Sequence, residues 1–378
     1  MSVLKDSRMA DERTDRYFMH RALALARRGL GGTQPNPLVG AVVVKDGNIV
    51  GRGYHKRAGE AHAEVIALDQ AGAKARGATL YVTLEPCSHF GRTPPCADRV
   101  IASGVKRVVI ATPDPNPVSG GGITKLRTAG LDLSVGCRQA QAERLALPYL
   151  FALKQGRPLV TARAAVTLDG KIGVRGGRIQ ISGPACENTR MKLRAEAGAI
   201  LVGISTLLND DPLLTVRGPF AARKPIRAVV DPDFKTPASS RLINSEGGAV
   251  RVYGRADIEG TPEGAGRVAE LKNHGATVVA LKPNQSGKLD SMEILKDLAG
   301  QGVNAVLVEG GAGVYHYMAR AGLVDRWRIF LSPTLLGPSV NGQPTVPFWA
   351  DGGFSLRFQS VIRHGADWEI SAVSEKEQ

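Results

Sequence analysis

The sequence is poor in cysteine and has no long apolar run. Four cysteines in 378 residues are too few for a disulfide framework, so a reducing cytoplasm is the expected setting. No hydrophobic stretch approaches the roughly 20 residues that cross a bilayer. The amino-terminal MSVLKDSRMADERTD is charged and polar where a secretory signal would be apolar. Also absent are an internal repeat, a low-complexity tract and any Gly-x-Gly-x-x-Gly after a strand, so a Rossmann site is not indicated. There is no basic block or arm either. The net charge of +14 is spread, with 21 Lys+Arg against 13 Asp+Glu before residue 151 and 28 against 22 after it. A diffuse positive field suits small phosphorylated ligands and dinucleotides; no nucleic-acid or membrane partner is expected.

What remains describes a globular chain, 43% hydrophobic and 22% charged, long enough for two domains. An amphipathic helix over roughly Asp15 to Arg28 leads into a turn-rich loop, GGTQPNP. Two β-branched strands, LVGAVVV and NIVGRGY, meet at Lys45-Asp46-Gly47 as a hairpin. A helix after His62, the strand ATLYVTL, a two-cysteine loop, the helix CADRVIASG and the strand VKRVVIA follow. That alternation predicts a layered α/β domain. Helical sequence from Arg138 to Gly156 ends at KQGRP, read as the joint between domains. The pattern then restarts with LVTARAAV, a helix near Glu187–Ala195, the strands AILVG, IRAVVD and TVVAL, a helix over Ser291–Ala299, the strand AVLVE and a glycine-led helix from Gly313.

The chemistry concentrates in two short stretches. In GEAHAEVIAL, His62 and Glu64 stand one alanine apart at a helix entrance, which alone is ordinary helix-opening sequence. Downstream, LEPCSHFGRTPPC places Cys87 and Cys96 each after a proline. One histidine and two thiolates give a tetrahedral zinc three protein ligands and leave the fourth position to water, as at catalytic zinc. Helix N-termini at His62 and Cys96 favour thiolate over thiol. Zinc lowers the pKa of bound water towards neutrality, and Glu64 is placed to carry its proton to a leaving amine. His-x-Glu with Pro-Cys…Cys is the zinc deaminase pattern. Cys137 and Cys186 have no such pattern and read as structural.

Eight residues separate Cys87 from Cys96, where nucleoside and tRNA deaminases have two. With PNPLVGAVVV, HAEVIAL, VTLEPCSHFGRTPPC and DPNP, the first half resembles the bifunctional riboflavin-biosynthesis deaminase/reductase family. The second half matches it too, in TLDGKIG, LRAEAGAILVGISTLLNDDPLLTVR, LVEGG and GLVDRW…LLG. The resemblance implies a zinc cytidine-deaminase-like three-layer α/β domain over residues 1–153 and a dihydrofolate-reductase-like α/β domain over 154–378. It implies deamination of a 2,5-diamino-6-(phosphoribosylamino)pyrimidinone at C2, then NADPH-dependent reduction of the ribosyl group to ribityl. The implied cofactors are one Zn²⁺ per chain and NADPH. The implied partners are a phosphorylated pyrimidine substrate and further copies of the chain, as a dimer or tetramer.

Site residues follow from the same resemblance. Asn36 and His89 are candidates for the deaminase pocket. In VEGGAGVYHYM, Gly310, Gly311 and Gly313 lie between a strand and a helix, where bared amides can hold a pyrophosphate; Ala312 and Val314 go with them. Thr206, Arg163, Ala165, Gln180 and Ser182 join this cofactor set. Asp210 is the carboxylate expected nearest the sugar and nicotinamide. Arg194 and Arg217 are candidates for the substrate phosphate, with Arg178, Leu214 and Glu309 also on substrate. The chain departs from the family at Arg163, usually lysine; at Gln180-Ile181-Ser182, often Trp-Ile-Thr; and at Arg178, often small and polar. An arginine keeps the charge at 163 but cannot donate a proton as an ammonium can. The alternative reading is a zinc deaminase of nucleoside or tRNA type fused to a non-catalytic ligand-binding module.

Overall fold

A computed structural model describes residues 2–90, 94–349, 353 and 355–375, with residues 2–10 as backbone only. Gly91, Arg92 and Thr93 of the cysteine motif lie outside the described residues. The chain divides into two compact units, Met1–Gln155 and Gly156–Gln378.

The first unit runs α1 (Ser2–Ala26), β1 (Gly40–Lys45), β2 (Asn48–Tyr54), α2 (Ala63–Ala71), β3 (Thr79–Val82), α3 (Cys96–Ala102), β4 (Arg107–Ile110), α4 (Gly122–Thr128), β5 (Asp132–Val135) and α5 (Gln139–Gln155). Its sheet has the order β2-β1-β3-β4-β5, with β1 antiparallel to β2 and β3 and the rest parallel. Alternation along the strands builds three layers. Ala41, Val43, Leu80, Val82, Val108 and Ile110 pack with α2, α3 and α4 on one face. Val42, Val44, Tyr81 and Val109 face α1 and α5 on the other. The predicted hairpin forms with Asp46 and Gly47 both at positive φ (49° and 73°), the backbone of a type I′ turn. Helix α1 starts well before Asp15, and α5 continues past residue 153 until Gly156, at φ 65°, ends it.

The second unit runs β6 (Leu159–Thr167), β7 (Lys171–Val174), α6 (Glu187–Glu196), β8 (Ala199–Gly203), α7 (Ile204–Asp210), β9 (Ile226–Val230), α8 (Arg241–Asn244), β10 (Val250–Arg255), α9 (Ala256–Glu259), α10 (Pro262–Asn273), β11 (Thr277–Leu281), α11 (Ser291–Gly300), β12 (Ala305–Val308), α12 (Ala312–Arg320), β13 (Arg326–Ser332), β14 (Ser339–Val340), β15 (Gln343–Pro347), β16 (Leu356–His364) and β17 (Asp367–Ser374). Its main sheet has the order β11-β10-β9-β8-β12-β6-β13-β17-β16; the first seven are parallel and the last two antiparallel additions. Helices α11 and α12 cover one face and α7, α8 and α10 the other. A sequence reading that stops at IRAVVD and TVVAL misses β10 between them, although VRVYGR is buried at four of its six positions. Helix α12 begins at Ala312, one residue before the predicted start.

Candidate active sites

Two glycines set up the first site. A Cβ at Gly51 would lie 2.0 Å from the Ala67 carbonyl oxygen, and one at Gly53 2.0 Å from that of Ala63. Their absence lets α2 lie directly on β2 and fixes where the helix begins. His62 is its N-cap, in extended conformation, and Glu64 is in its first turn, 3% exposed. Beyond β3, Glu85 clamps the neighbouring loops: its carboxylate accepts from the Asp114 amide (3.0 Å) and the Ile123 amide (2.8 Å). Cys87 follows two residues later, and Cys96 opens α3.

The ligand atoms of His62, Cys87 and Cys96 all lie within 4.8 Å of one another. His62 Nδ1 is 3.1 Å from Cys96 Sγ and 3.7 Å from Cys87 Sγ. Bonds of about 2.0–2.3 Å in a tetrahedron give ligand edges of roughly 3.3–3.8 Å, so the donor set fits zinc. The Cys96 amide donates to Cys87 Sγ at 3.3 Å. A hydrogen bond from the Cys96 side chain pulls the Cys87 thiol down to about 4, outweighing its burial, whereas Cys96, facing that sulfur, is pushed up. Burial raises the Glu64 carboxyl to about 7, with His62 opposing the shift. Its Oε2 is buried with no hydrogen-bond partner among the described residues, as a proton carrier facing a water or substrate requires.

A cavity of about 410 Å³ opens on these groups and is lined by Asn36 and His89 as well as His62, Glu64 and Cys87. Asn36 Nδ2 lies 3.1 Å from His55 Nε2, and His89 Nδ1 is buried without a partner among the described residues. Sequence reasoning assigned nothing to His55, Asp114, Asn116 or Tyr149, which also line this cavity. The Tyr149 hydroxyl donates to Asp114 (3.1 Å) and accepts from Asn116 Nδ2 (3.1 Å). DPNP carried a signal for Asp114 and Asn116; His55 and, on α5, Tyr149 carried none.

The second site is a cavity of about 1030 Å³ at the carboxyl edge of the parallel strands. Of the residues assigned to this unit from the sequence, Arg163, Ala165, Arg178, Gln180, Ser182, Arg194, Thr206, Asp210, Leu214, Glu309, Gly310, Gly311, Ala312, Gly313 and Val314 all line it. Gly311 caps α12 at φ 74°, and a Cβ at Gly310 would meet the Thr206 side chain at 2.8 Å. The turn thus packs against Thr206 and bares its amides. Arg163 donates to Ser182 Oγ at 3.2 Å and lies 4.8 Å over the Phe330 ring; Gln180 donates to the Ser182 carbonyl at 2.7 Å. Leu214 sits at φ 49°, a strained conformation for a branched residue, at the cavity wall.

Two expectations change. Arg217 does not line the cavity; it is half exposed and paired with Glu187 at 3.0 Å. Arg194 and Glu309 are bound to each other through Nε (3.0 Å to each oxygen) and Nη2 (2.5 Å), with Arg194 Nη1 on the Thr215 carbonyl at 2.8 Å. The pair enters the site as one neutral unit, so Arg194 brings no net charge to a phosphate. Burial alone would raise the Glu309 carboxyl, but Arg194 outweighs it and holds the group below its usual range. Burial raises Asp210, against Arg178. The reading also missed Arg190, whose buried Nε lacks a partner among the described residues and which lines the same cavity.

Comparison with known proteins covers both units. Residues 12–112 match the cytidine and deoxycytidylate deaminase zinc-binding region, and residues 158–368 the RibD C-terminal domain. The chain is 43% identical over 329 residues to riboflavin biosynthesis protein RibD of Aquifex aeolicus (86% of this chain, 89% of the relative). It is 41% identical to the Escherichia coli K12 protein of that name (88% and 91%). Among solved structures, Acinetobacter baumannii RibD aligns with a TM-score of 0.83 at 34% identity, over 97% of this chain and all of that one. A Thermotoga maritima diaminohydroxyphosphoribosylaminopyrimidine deaminase/5-amino-6-(5-phosphoribosylamino)uracil reductase aligns with a TM-score of 0.83 at 33% identity (96% and 99%).

Proposed function

The chain belongs to the RibD family of bifunctional riboflavin-biosynthesis enzymes, and from that membership we propose how its own residues divide the two reactions. The enzyme deaminates 2,5-diamino-6-(5-phosphoribosylamino)pyrimidin-4-one and reduces the ribosyl group of the resulting 5-amino-6-(5-phosphoribosylamino)uracil, with Zn²⁺ and NADPH as cofactors. The match through the second unit sets aside a deaminase fused to an inert module.

In our reading the first unit performs the deamination and the second the reduction, and His62, Cys87 and Cys96 hold the zinc. Zinc bound there supplies Lewis acidity that makes hydroxide available at neutral pH. Glu64 takes the proton released from water as its oxygen adds to C2, then delivers it to the exocyclic nitrogen as that C–N bond breaks and ammonia leaves. Burial raises the Glu64 carboxyl, which favours its holding the proton between the two steps. Asn36 and His89 orient the pyrimidine.

In the second cavity the amides around Gly310–Gly313, with Thr206, hold the cofactor's phosphates, and Arg163, Ala165, Gln180 and Ser182 wall its reactive end. The nicotinamide supplies the hydride. One proton must accompany it, and Asp210 is the cavity carboxyl not already closed on an arginine. Arg178 and Leu214 face substrate, with the Arg194–Glu309 pair against the sugar. Arg217 would contribute only from outside the cavity, by exchanging Glu187 for phosphate. A homo-oligomer and a cytoplasmic location complete the proposal. Exposed Phe358, Val361 and Trp368 on the edge strand β16 and its neighbour β17 support the first; the low cysteine content supports the second.

The observation that carries the reading is the His62–Cys87–Cys96 cluster beside a buried, unpartnered Glu64 oxygen. Metal analysis combined with turnover of the diaminopyrimidinone tests it. One zinc per chain, ammonia released without NADPH, and NADPH consumed only after deamination are expected; ammonia release from metal-free protein would overturn it.

A further inference from the structure

The segment after β4, TPDPNPVSG, has proline at 113, 115 and 117, so alternate residues have a fixed φ and no amide to donate. The three amides that remain between and after the prolines are taken up locally. Asp114 donates to the Glu85 carboxylate (3.0 Å), Asn116 to Asp114 Oδ1 (3.1 Å) and Val118 to Asn116 Oδ1 (3.0 Å). Ser119 Oγ then closes the loop on Asp114 Oδ2 at 2.6 Å. A backbone tied in this way holds Asp114 and Asn116 at the wall of the deaminase cavity.

Among the described residues, these two side chains are bonded from outside their loop by Tyr149 alone, on α5. Ala142 and Ala146 are buried, and Tyr149 follows them at the i, i+4, i+7 spacing of one helix face. The same helix meets the residues just past β4 through Glu143, which accepts from Thr112 Oγ1 at 3.4 Å. The Tyr149 hydroxyl donates across both Asp114 oxygens (3.1 and 3.3 Å) and accepts from Asn116 Nδ2 (3.1 Å). Burial raises this phenol above its ordinary value, so it stays a donor. A carboxylate has about four lone-pair sites, and a primary amide has two N–H groups. Among the described residues, Asp114 meets the Asn116 amide and the Ser119 and Tyr149 hydroxyls, and Asn116 Nδ2 meets only the Tyr149 oxygen. An acceptor site and a donor are therefore left side by side in the cavity wall.

We propose that Tyr149 is a positioning residue for deamination: its hydroxyl turns Asp114 and Asn116 so that this acceptor and donor face the substrate. The proposal rests on the deaminase reading of this cavity. A phosphoribosylamino-pyrimidinone carries hydroxyl and amine donors and oxygen acceptors, which such a pair can bind together. The amide makes the dependence plain. With Oδ1 on the Val118 amide and Nδ2 on the Tyr149 hydroxyl, only one of its two flips satisfies both bonds. Without the hydroxyl, Asn116 loses the acceptor that fixes its nitrogen and Asp114 loses its donor from outside the loop. Tyr149 has no bond to His62, Glu64, Cys87 or Cys96 among the described residues, so its effect falls on substrate binding and not on the chemical step.

Steady-state ammonia release by the full-length, zinc-loaded protein tests this with Tyr149→Phe, which removes one oxygen and keeps the ring. KM for the diaminopyrimidinone should rise about tenfold, as loss of a hydrogen bond to a charged group does. The kcat should stay within about twofold of wild type, with one zinc retained per chain. Asn116→Ala should raise KM as well. In the double variant the two losses should fall short of multiplying by at least about threefold, because both remove the same bond. An unchanged KM, a loss carried by kcat, loss of zinc from Tyr149→Phe, or losses that multiply in full would each overturn the proposal while wild-type turnover leaves the deaminase reading intact. Wild type that releases no ammonia would remove that reading, and the proposal with it.

Discussion

Arg194 and Glu309, 115 residues apart in the chain, form an ion pair whose side chains are 7% and 4% exposed, in the wall of the reductase cavity. Removing one partner strands a buried charge. Glu309→Ala should therefore cost about 3–5 kcal/mol, and the double variant Arg194→Met/Glu309→Leu much less. Urea denaturation of the two variants checks this; equal losses would mean the pair matters through packing and not through charge.

Cys96→Ser replaces a soft ligand by a hard one. Zinc content and deamination should fall together, while NADPH oxidation on the already deaminated substrate stays within about twofold of wild type. Full deamination by a zinc-free Cys96→Ser preparation would remove Cys96 from the ligand set.

Glu64→Gln should keep its zinc, because the carboxylate is not a ligand, and lose deamination by at least about a thousandfold through loss of proton transfer. Zinc measured by mass spectrometry beside the rate of ammonia release decides between the roles. Loss of metal in this variant would assign Glu64 a structural part.

Asp210 should leave a signature in stability against pH. Burial holds its folded pKa above the unfolded value of about 3.9. Below that value the carboxyl is protonated in both states and makes no difference. As pH rises, the unfolded chain ionises first, so stability falls from about pH 4 until the folded pKa is passed. Asp210→Asn should accordingly be the more stable protein at pH 7, with the gap closing by about pH 3, and should reduce substrate more slowly. A stability gap constant from acid to neutral pH would show that titration is not its cause.

The zinc set and Glu64 all come from residues before 155, and the reductase residues all come after 156. Residues 1–155 produced alone should bind zinc and deaminate, and residues 156–378 should oxidise NADPH only with deaminated substrate. A zinc-loaded first fragment that is inactive until the second is added would show a shared catalytic site.

The sequence by itself determined the parts whose chemistry is local. Asp46-Gly47 between two β-branched runs is a local hairpin signal, and the hairpin formed there, and period-two strands assigned their own faces. His62, Glu64, Cys87 and Cys96 were legible because zinc tolerates few residue types at few spacings. The glycine turn at 310–313 was legible because glycines between a strand and a helix bare backbone amides. Tertiary structure decided what depends on charge partners and closeness across the chain. No spacing says that Arg194 meets Glu309 and is neutralised, or that Arg217 falls outside the cavity beside Glu187. Tyr149 and Arg190 gave no local sign, because each acts through neighbours brought up by other elements. Arginine and tyrosine are common and reach several ångströms; which of them face a ligand is settled by the packing of the strands and helices that carry them.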